Sequence, residues 1–252
     1  MSRTLEGGSQ CLRFGRTSST HLDARHRYAH GDGVAGNSCR RNGKIYAIGG
    51  DPVGGVTDIV EQYDPVSDSW VARASLPSPR TNQGVATATN GKIYAISGSG
   101  GVPFAALRAE VYEYDPVANT WATKADNPTP RHSIVAASAS NGKVYVFGGV
   151  PVGSSPYTCT GIVQEYDPTG DSWSTKTSMP TGRCGAGAAQ ATNGKIYVVG
   201  GTPSSGNPSH LATVEEYDPI TELGDEGEHA GRAWRLSAGG GEQRQAVRDW
   251  WA

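Results

Sequence analysis

Between residues 42 and 221, short apolar runs alternate with clusters of Gly, Asn, Asp and Pro, which predicts strands punctuated by turns. The clearest runs are Lys44-Ile45-Tyr46-Ala47-Ile48 and residues 92–96, 143–147 and 195–199, all rich in β-branched and aromatic side chains. Asn-Gly precedes each of them, predicting a type I′ hairpin from an earlier strand, because both central residues of that turn need positive φ. A glycine pair follows at Gly49-Gly50, Gly148-Gly149 and Gly200-Gly201, with Ser97-Gly98 in the second unit. A third strand ends at Tyr-Asp-Pro, where Asp and Pro suit the first positions of a type I turn, and a Trp opens a fourth. The strand before each Asn-Gly is made of small residues, as in Gly84-Val85-Ala86-Thr87-Ala88 and Gly185-Ala186-Gly187-Ala188-Ala189.

The pattern repeats. Asn-Gly-Lys starts at Asn42, Asn90, Asn141 and Asn193, and Tyr-Asp-Pro at Tyr63, Tyr114, Tyr166 and Tyr217, both with intervals near 50 residues. Trp70, Trp121 and Trp173 follow their tyrosines by seven residues, and are read as packing between neighbouring repeats. Together with Pro79-Arg80 and Pro130-Arg131 at the start of a unit, these motifs resemble the kelch-repeat family, of its free-standing prokaryotic type. The resemblance implies an all-β propeller of four-stranded blades, with the small-residue strands crowded around a central channel. Two whole units, about 78–128 and 129–180, lie between a first unit without a clear inner strand and a last one without its Trp strand. Closed propellers use about four to eight blades, so four imperfect blades form either a complete or a partial ring.

Composition narrows the function. Of 252 residues 36 % are apolar and 18 % charged, and the net charge is −2, which speaks against membrane spans and against a polybasic nucleic-acid binder. No signal peptide is visible, and the compartment stays unknown. Cys11, Cys39, Cys159 and Cys184 show no C-x-x-C spacing, so unpaired thiols are expected, without a zinc site or disulfide framework. All six lysines lie between Lys44 and Lys195, whereas residues 1–41 and 222–252 carry seven and four of the sixteen arginines. Both ends are therefore read as aberrant or disordered arms flanking the repeats at 42–221, the aberrant form being out-of-frame or spliced sequence.

Antiparallel order within a blade puts the Asn-Gly and Tyr-Asp-Pro turns on one face, called lower. The segments opening each blade and the loops at 51–58, 98–109, 150–161 and 202–212 then share the upper face. Arg80, Arg131 and Arg183 each stand ten residues before Asn-Gly-Lys, so symmetry places them in a ring. They either grip a partner's carboxylates or tie their own blade's loop to a neighbouring carbonyl or carboxylate. Asn82, His132 and Cys184 break the repeat beside them, and Phe104, Tyr157 and His210 are candidate contact residues in the loops. Asp64, Asp115, Asp167 and Asp218 are explained by turn chemistry, and His26 and His30 have a helical metal spacing but lie in the aberrant arm.

No nucleophile elbow, phosphate loop or H-E-x-x-H occurs. A copper-radical oxidase, known on kelch-like propellers, would need a Tyr and His ligand set that His132 and His210 alone do not supply. The expected function is a non-enzymatic module binding a protein or glycan through the arginine-bearing face, with no cofactor or metal. A sialic-acid mutarotase, in which a ring of Arg holds an acidic sugar, is the alternative that the resemblance implies.

Overall fold

A computed structural model describes residues 11–12, 34–41, 43–52, 55–101, 106–154, 158–204, 209–220 and 234–236, the first two segments and the last by backbone alone. Blade I runs β1 (Cys11–Leu12), β2 (Val34–Arg41), β3 (Lys44–Asp51), β4 (Thr57–Asp64) and β5 (Ser69–Ala72). Blade II is formed by β6 (Gly84–Thr87), β7 (Ile93–Ile96), β8 (Val111–Asp115) and β9 (Thr120–Lys124). In blade III, β10 (Arg131–His132) pairs with β13 (Val150–Pro151), ahead of the sheet β11 (Val135–Ser138), β12 (Val144–Phe147), β14 (Val163–Asp167) and β15 (Ser172–Lys176). Blade IV comprises β16 (Gly187–Gln190), β17 (Ile196–Val199), β18 (Val214–Tyr217) and β19 (Trp234–Leu236). Every ladder is antiparallel, with four strands in the main sheets of blades II to IV and five in blade I, and the protein is a kelch β-propeller.

The Asn-Gly hairpins differ from the expected type. Gly91, Gly142 and Gly194 have positive φ but their asparagines do not. The loop is a residue longer than a two-residue turn: Ala88 N donates to Lys92 O, Gly91 N to Ala88 O, and Asn90 Oδ1 accepts Lys92 N. That is a three-residue connection in which only the last residue is left-handed. Asparagine is used for its side chain, which also donates to the Tyr94 hydroxyl. Asn141 with Tyr145 and Asn193 with Tyr197 repeat this.

Apolar side chains are buried between successive blades. One cluster joins blades I and II around Tyr46, Ile48, Ile93 and Tyr114. A second joins II and III around Tyr94, Ile96, Val144 and Tyr166, and a third joins III and IV around Tyr145, Phe147, Ile196 and Tyr217. Trp121 and Trp173 pack between blades as expected and also hydrogen-bond across the seam. Their indole N–H groups donate to Ala74 O and Ala125 O of the preceding linkers, at 2.8 and 2.9 Å. Asn119 and Asp171, left-handed residues of the Tyr-Asp-Pro turns, accept the N–H of those same alanines and the hydroxyls of Tyr114 and Tyr166.

Strands also stand where the repeat spacing predicts none. β2 lies outside the 42–221 boundary and pairs with β3 from Val34↔Asp51 to Arg41↔Lys44. At the other end Trp234 stands opposite Tyr217, the register that Trp70, Trp121 and Trp173 take opposite Tyr63, Tyr114 and Tyr166. Counting residues misses both, because a strand is recruited by the unpaired edge it satisfies and not by the length of the loop before it. β1 pairs with β2 at Cys11↔Cys39 and runs beside β6 and β16. His26 and His30 lie outside the described residues.

Candidate binding face

The upper face is organised by three buried arginines. Arg80, Arg131 and Arg183 are at most 1 % exposed, among the largest fully buried side chains described. Arg80 Nη1 donates to Ser97 O at 3.2 Å and Glu110 O at 3.0 Å, and Nη2 to Ser78 Oγ at 3.0 Å. Its guanidinium carbon lies 4.4 Å from the centroid of the Tyr112 ring. Arg183 repeats the bracket, with Nη1 donating to Gly200 O at 2.9 Å and Thr213 O at 3.2 Å. Its Nη2 meets Glu215 Oε1 at 2.6 Å in an ion pair with both side chains fully buried. Arg131 is different: Nη1 donates to Thr129 Oγ1 at 2.7 Å, while Nε and Nη2 find no acceptor among the described residues. Burial alone pushes Arg131 down to about 10, and burial foremost lowers Arg80.

Arg80 and Arg183 thus tie loop carbonyls of their own blades, whereas Arg131 holds only Thr129 among the described residues. All three guanidinium groups, which the sequence reading offers to a partner's carboxylates, are buried.

The residue opening the second half of each glycine pair is fixed by close backbone approach. Gly50, Gly98 and Gly149 donate N–H to Arg80 O, Arg131 O and Arg183 O of the following blade. A Cβ on Gly148 would lie 2.1 Å from Arg183 O, and one on Gly49 2.6 Å from Arg80 O. The openings of the blades are also linked in series, Ser133 N donating to Asn82 O and Gly185 N to Ser133 O, through three residues with left-handed φ. The loops above are thus held from below by arginine, glycine and backbone alike.

Asn82 is half-buried within this series, and His132 is buried with Nδ1 3.0 Å from Ser133 Oγ. His210 is exposed. Phe104 and Tyr157 lie outside the described residues. Cys184 corrects the reading of unpaired thiols, being joined to Cys159 by a disulfide with the Cα atoms 5.5 Å apart. Their separation of 25 residues carries no spacing signal, because the bond spans loops of two blades that only the ring arrangement brings together. The sequence reading also missed the partners of the arginines. Tyr112 and Glu215, two residues before Tyr114 and Tyr217, hold Arg80 and Arg183, and the matching Gln164 is buried with Oε1 unpaired among the described residues.

On the lower face the repeated Lys–Asp chemistry is closed on itself within each blade. Lys92 pairs with Asp115 at 2.5 Å, and Lys44 with Asp64, Lys143 with Asp167 and Lys195 with Asp218 repeat the contact. Lys44 and Lys92, together with turn N–H groups, hold Asp64 and Asp115 down at about 2. Turn and salt-bridge chemistry account for these aspartates.

Comparison with known proteins agrees with this geometry. Residues 37–223 match the family model described as the KLHDC2/KLHL20/DRC7 Kelch-repeats domain. Kelch-like protein 23 of Homo sapiens is 30 % identical over 181 residues, 70 % of this chain and 29 % of that protein. Beta-scruin of Limulus polyphemus is 29 % identical over 185 residues, 69 % of this chain and 19 % of that one. The chain thus spans less than a third of the length of these curated relatives. Among solved structures, YjhT superposes with a TM-score of 0.63 at 20 % identity, over 82 % of this chain and 65 % of that one, a likeness of fold. A family match across most of the repeats, on blades built from the motifs that define them, makes this chain a member of the kelch-repeat family.

Proposed function

We propose that this propeller is a non-enzymatic binding module that takes a protein partner on its upper face. The observation that carries the reading is the division of labour between the two levels of that face. Arginine brackets fix the bases of two loops with the same carbonyl pattern, Arg80 with Ser97 O and Glu110 O and Arg183 with Gly200 O and Thr213 O. The loops they hold, 98–109 and 202–212, differ in sequence. A regular scaffold presenting divergent loops is the arrangement in which recognition is carried by the loops. Membership of a family that includes the Kelch-like proteins supports a protein over a glycan partner.

Val152 and His210 are exposed residues of two such loops, and Val66 and Val117 are exposed on the opposite turns. A photo-crosslinking residue placed at each in turn should trap partner protein from a native extract at Val152 and His210. Trapping confined to Val66 and Val117 would move the binding face to the other side and defeat the proposal.

A further inference from the structure

The disulfide between Cys159 and Cys184 stands apart from everything that builds the blades. Neither cysteine lies in a ladder of the blade III or blade IV sheet: Cys159 follows β13 and precedes β14, and Cys184 precedes β16. Position 184 is taken by Thr81 in blade II and His132 in blade III. Those residues pair with the loop of their own blade without any covalent link, Thr81↔Ser99 and His132↔Val150, as Cys184 does with Thr202. The tie within blade IV is therefore of a kind the propeller keeps elsewhere without sulfur.

What the bond adds is a covalent link beside the backbone bonds that already join the two blades here, Gly149 N donating to Arg183 O and Arg183 N to Thr160 O. Cys159 N donates to Pro203 O at 3.1 Å, and Thr158 bridges Ser204, so the loop after β13 is seated on the loop after β17. Cys159 also lies against Gly182, where a Cβ would come within 2.4 Å of Cys159 O. The two sulfurs share a small apolar cluster with Val150 alone, separate from the three clusters between the blades. The backbone bonds of this segment, such as Thr160 N to Gly149 O and Cys184 N to Thr202 O, run between loop residues and belong to neither blade's four-stranded ladder, and a segment held in that way opens locally at less cost than the whole fold.

We infer that Cys159–Cys184 is a redox-cleavable tie between the upper loops of blades III and IV, reducible by a dithiol while the propeller stays folded. In the step, a thiolate of the dithiol attacks one sulfur and the S–S bond breaks. The second thiol then resolves the mixed disulfide. Two electrons and two protons pass to Cys159 and Cys184, which become thiols, and the dithiol leaves as its own disulfide. Residues 158–160 and 202–204 then lose their seat on each other while the sheets of both blades persist. The inference concerns the tie itself and stands without any partner for the upper face.

The test uses the full chain under native conditions with dithiothreitol, followed by alkylation and peptide mass spectrometry, in parallel with hydrogen exchange. Cys159 and Cys184 should become alkylated well faster than global unfolding. Amide exchange at 158–160 should accelerate at least tenfold, with 187–190 and 196–199 unchanged. A Cys159→Ser/Cys184→Ser variant should fold cooperatively and show the same fast exchange without reductant. Alkylation only at the rate of global unfolding, exchange spreading into β16 and β17, or failure of the double variant to fold would each overturn the inference and make the bond a structural staple.

Discussion

Asn127 donates from Nδ2 to Ser97 Oγ at 2.9 Å, both side chains being at most 1 % exposed, where the other repeats hold an apolar side chain over a glycine. Leu76 and Met179 occupy the place of Asn127, each lying within 3.2 Å of a Cβ built on Gly49 or Gly148. Ser97 takes the glycine's left-handed backbone, with φ of 54° against 58° and 64° in those two. The departure from the glycine pair and the departure from the apolar residue are one compensated change.

Ser97→Gly removes the strained backbone but leaves a buried amide donor unpaired, so it is expected to destabilise by roughly 1–3 kcal/mol less the strain relieved. The double replacement Ser97→Gly/Asn127→Leu restores the arrangement of blades I and III. Denaturant unfolding of the single and double variants should give a coupling on the order of 1 kcal/mol or more. Strict additivity would show that the two residues are independent.

The arginine brackets should not be equal in weight. Arg183→Met strands the buried Glu215 carboxylate and is expected to cost about 3–5 kcal/mol, much of it recovered by Glu215→Met in the same chain. Arg131 has no carboxylate within ion-pair distance among the described residues and holds only Thr129. Arg131→Met should therefore be the milder change, and urea unfolding that ranks the two in the opposite order would contradict the assignment.

Gly148→Ala and Gly142→Ala separate close approach from backbone preference. Both glycines have positive φ, but a Cβ at 148 meets Arg183 O at 2.1 Å whereas one at 142 meets only Thr89 Oγ1 at 3.5 Å. About 1 kcal/mol is expected at 142 and about 3 kcal/mol or more at 148, read from thermal or denaturant midpoints. Equal losses would mean that the two blades do not approach so closely.

Acid should weaken the lower face in a defined window. Asp64 and Asp115 titrate at about 2 in the folded chain against an ordinary 3.8, so their pairing is present above about pH 4 and is lost as pH falls through about 2. A thermal midpoint followed from pH 5 to pH 2 should fall, and should fall less in Lys44→Met/Lys92→Met, whose aspartates are nearer their ordinary value. An identical fall in the variant would assign the acid sensitivity to other groups.

Much of this architecture is legible in the sequence because it rests on local chemistry repeated about every 50 residues. Asn-Gly-Lys, the glycine pair, Tyr-Asp-Pro and the spaced Trp each set a turn or a strand, and their recurrence predicts repeated antiparallel units that resemble kelch blades. Tertiary structure decided the rest. That Arg80 and Arg183 turn into their own blades depends on acceptors 17 to 32 residues away, such as Ser97 O and Glu215. Cys184 meets Cys159 only because two blades stand side by side, and Trp234 finds its place opposite Tyr217 only because the edge of β18 is open to it. Repeat spacing encodes what a residue does within its unit, whereas contacts between units are set by packing, which no local pattern records.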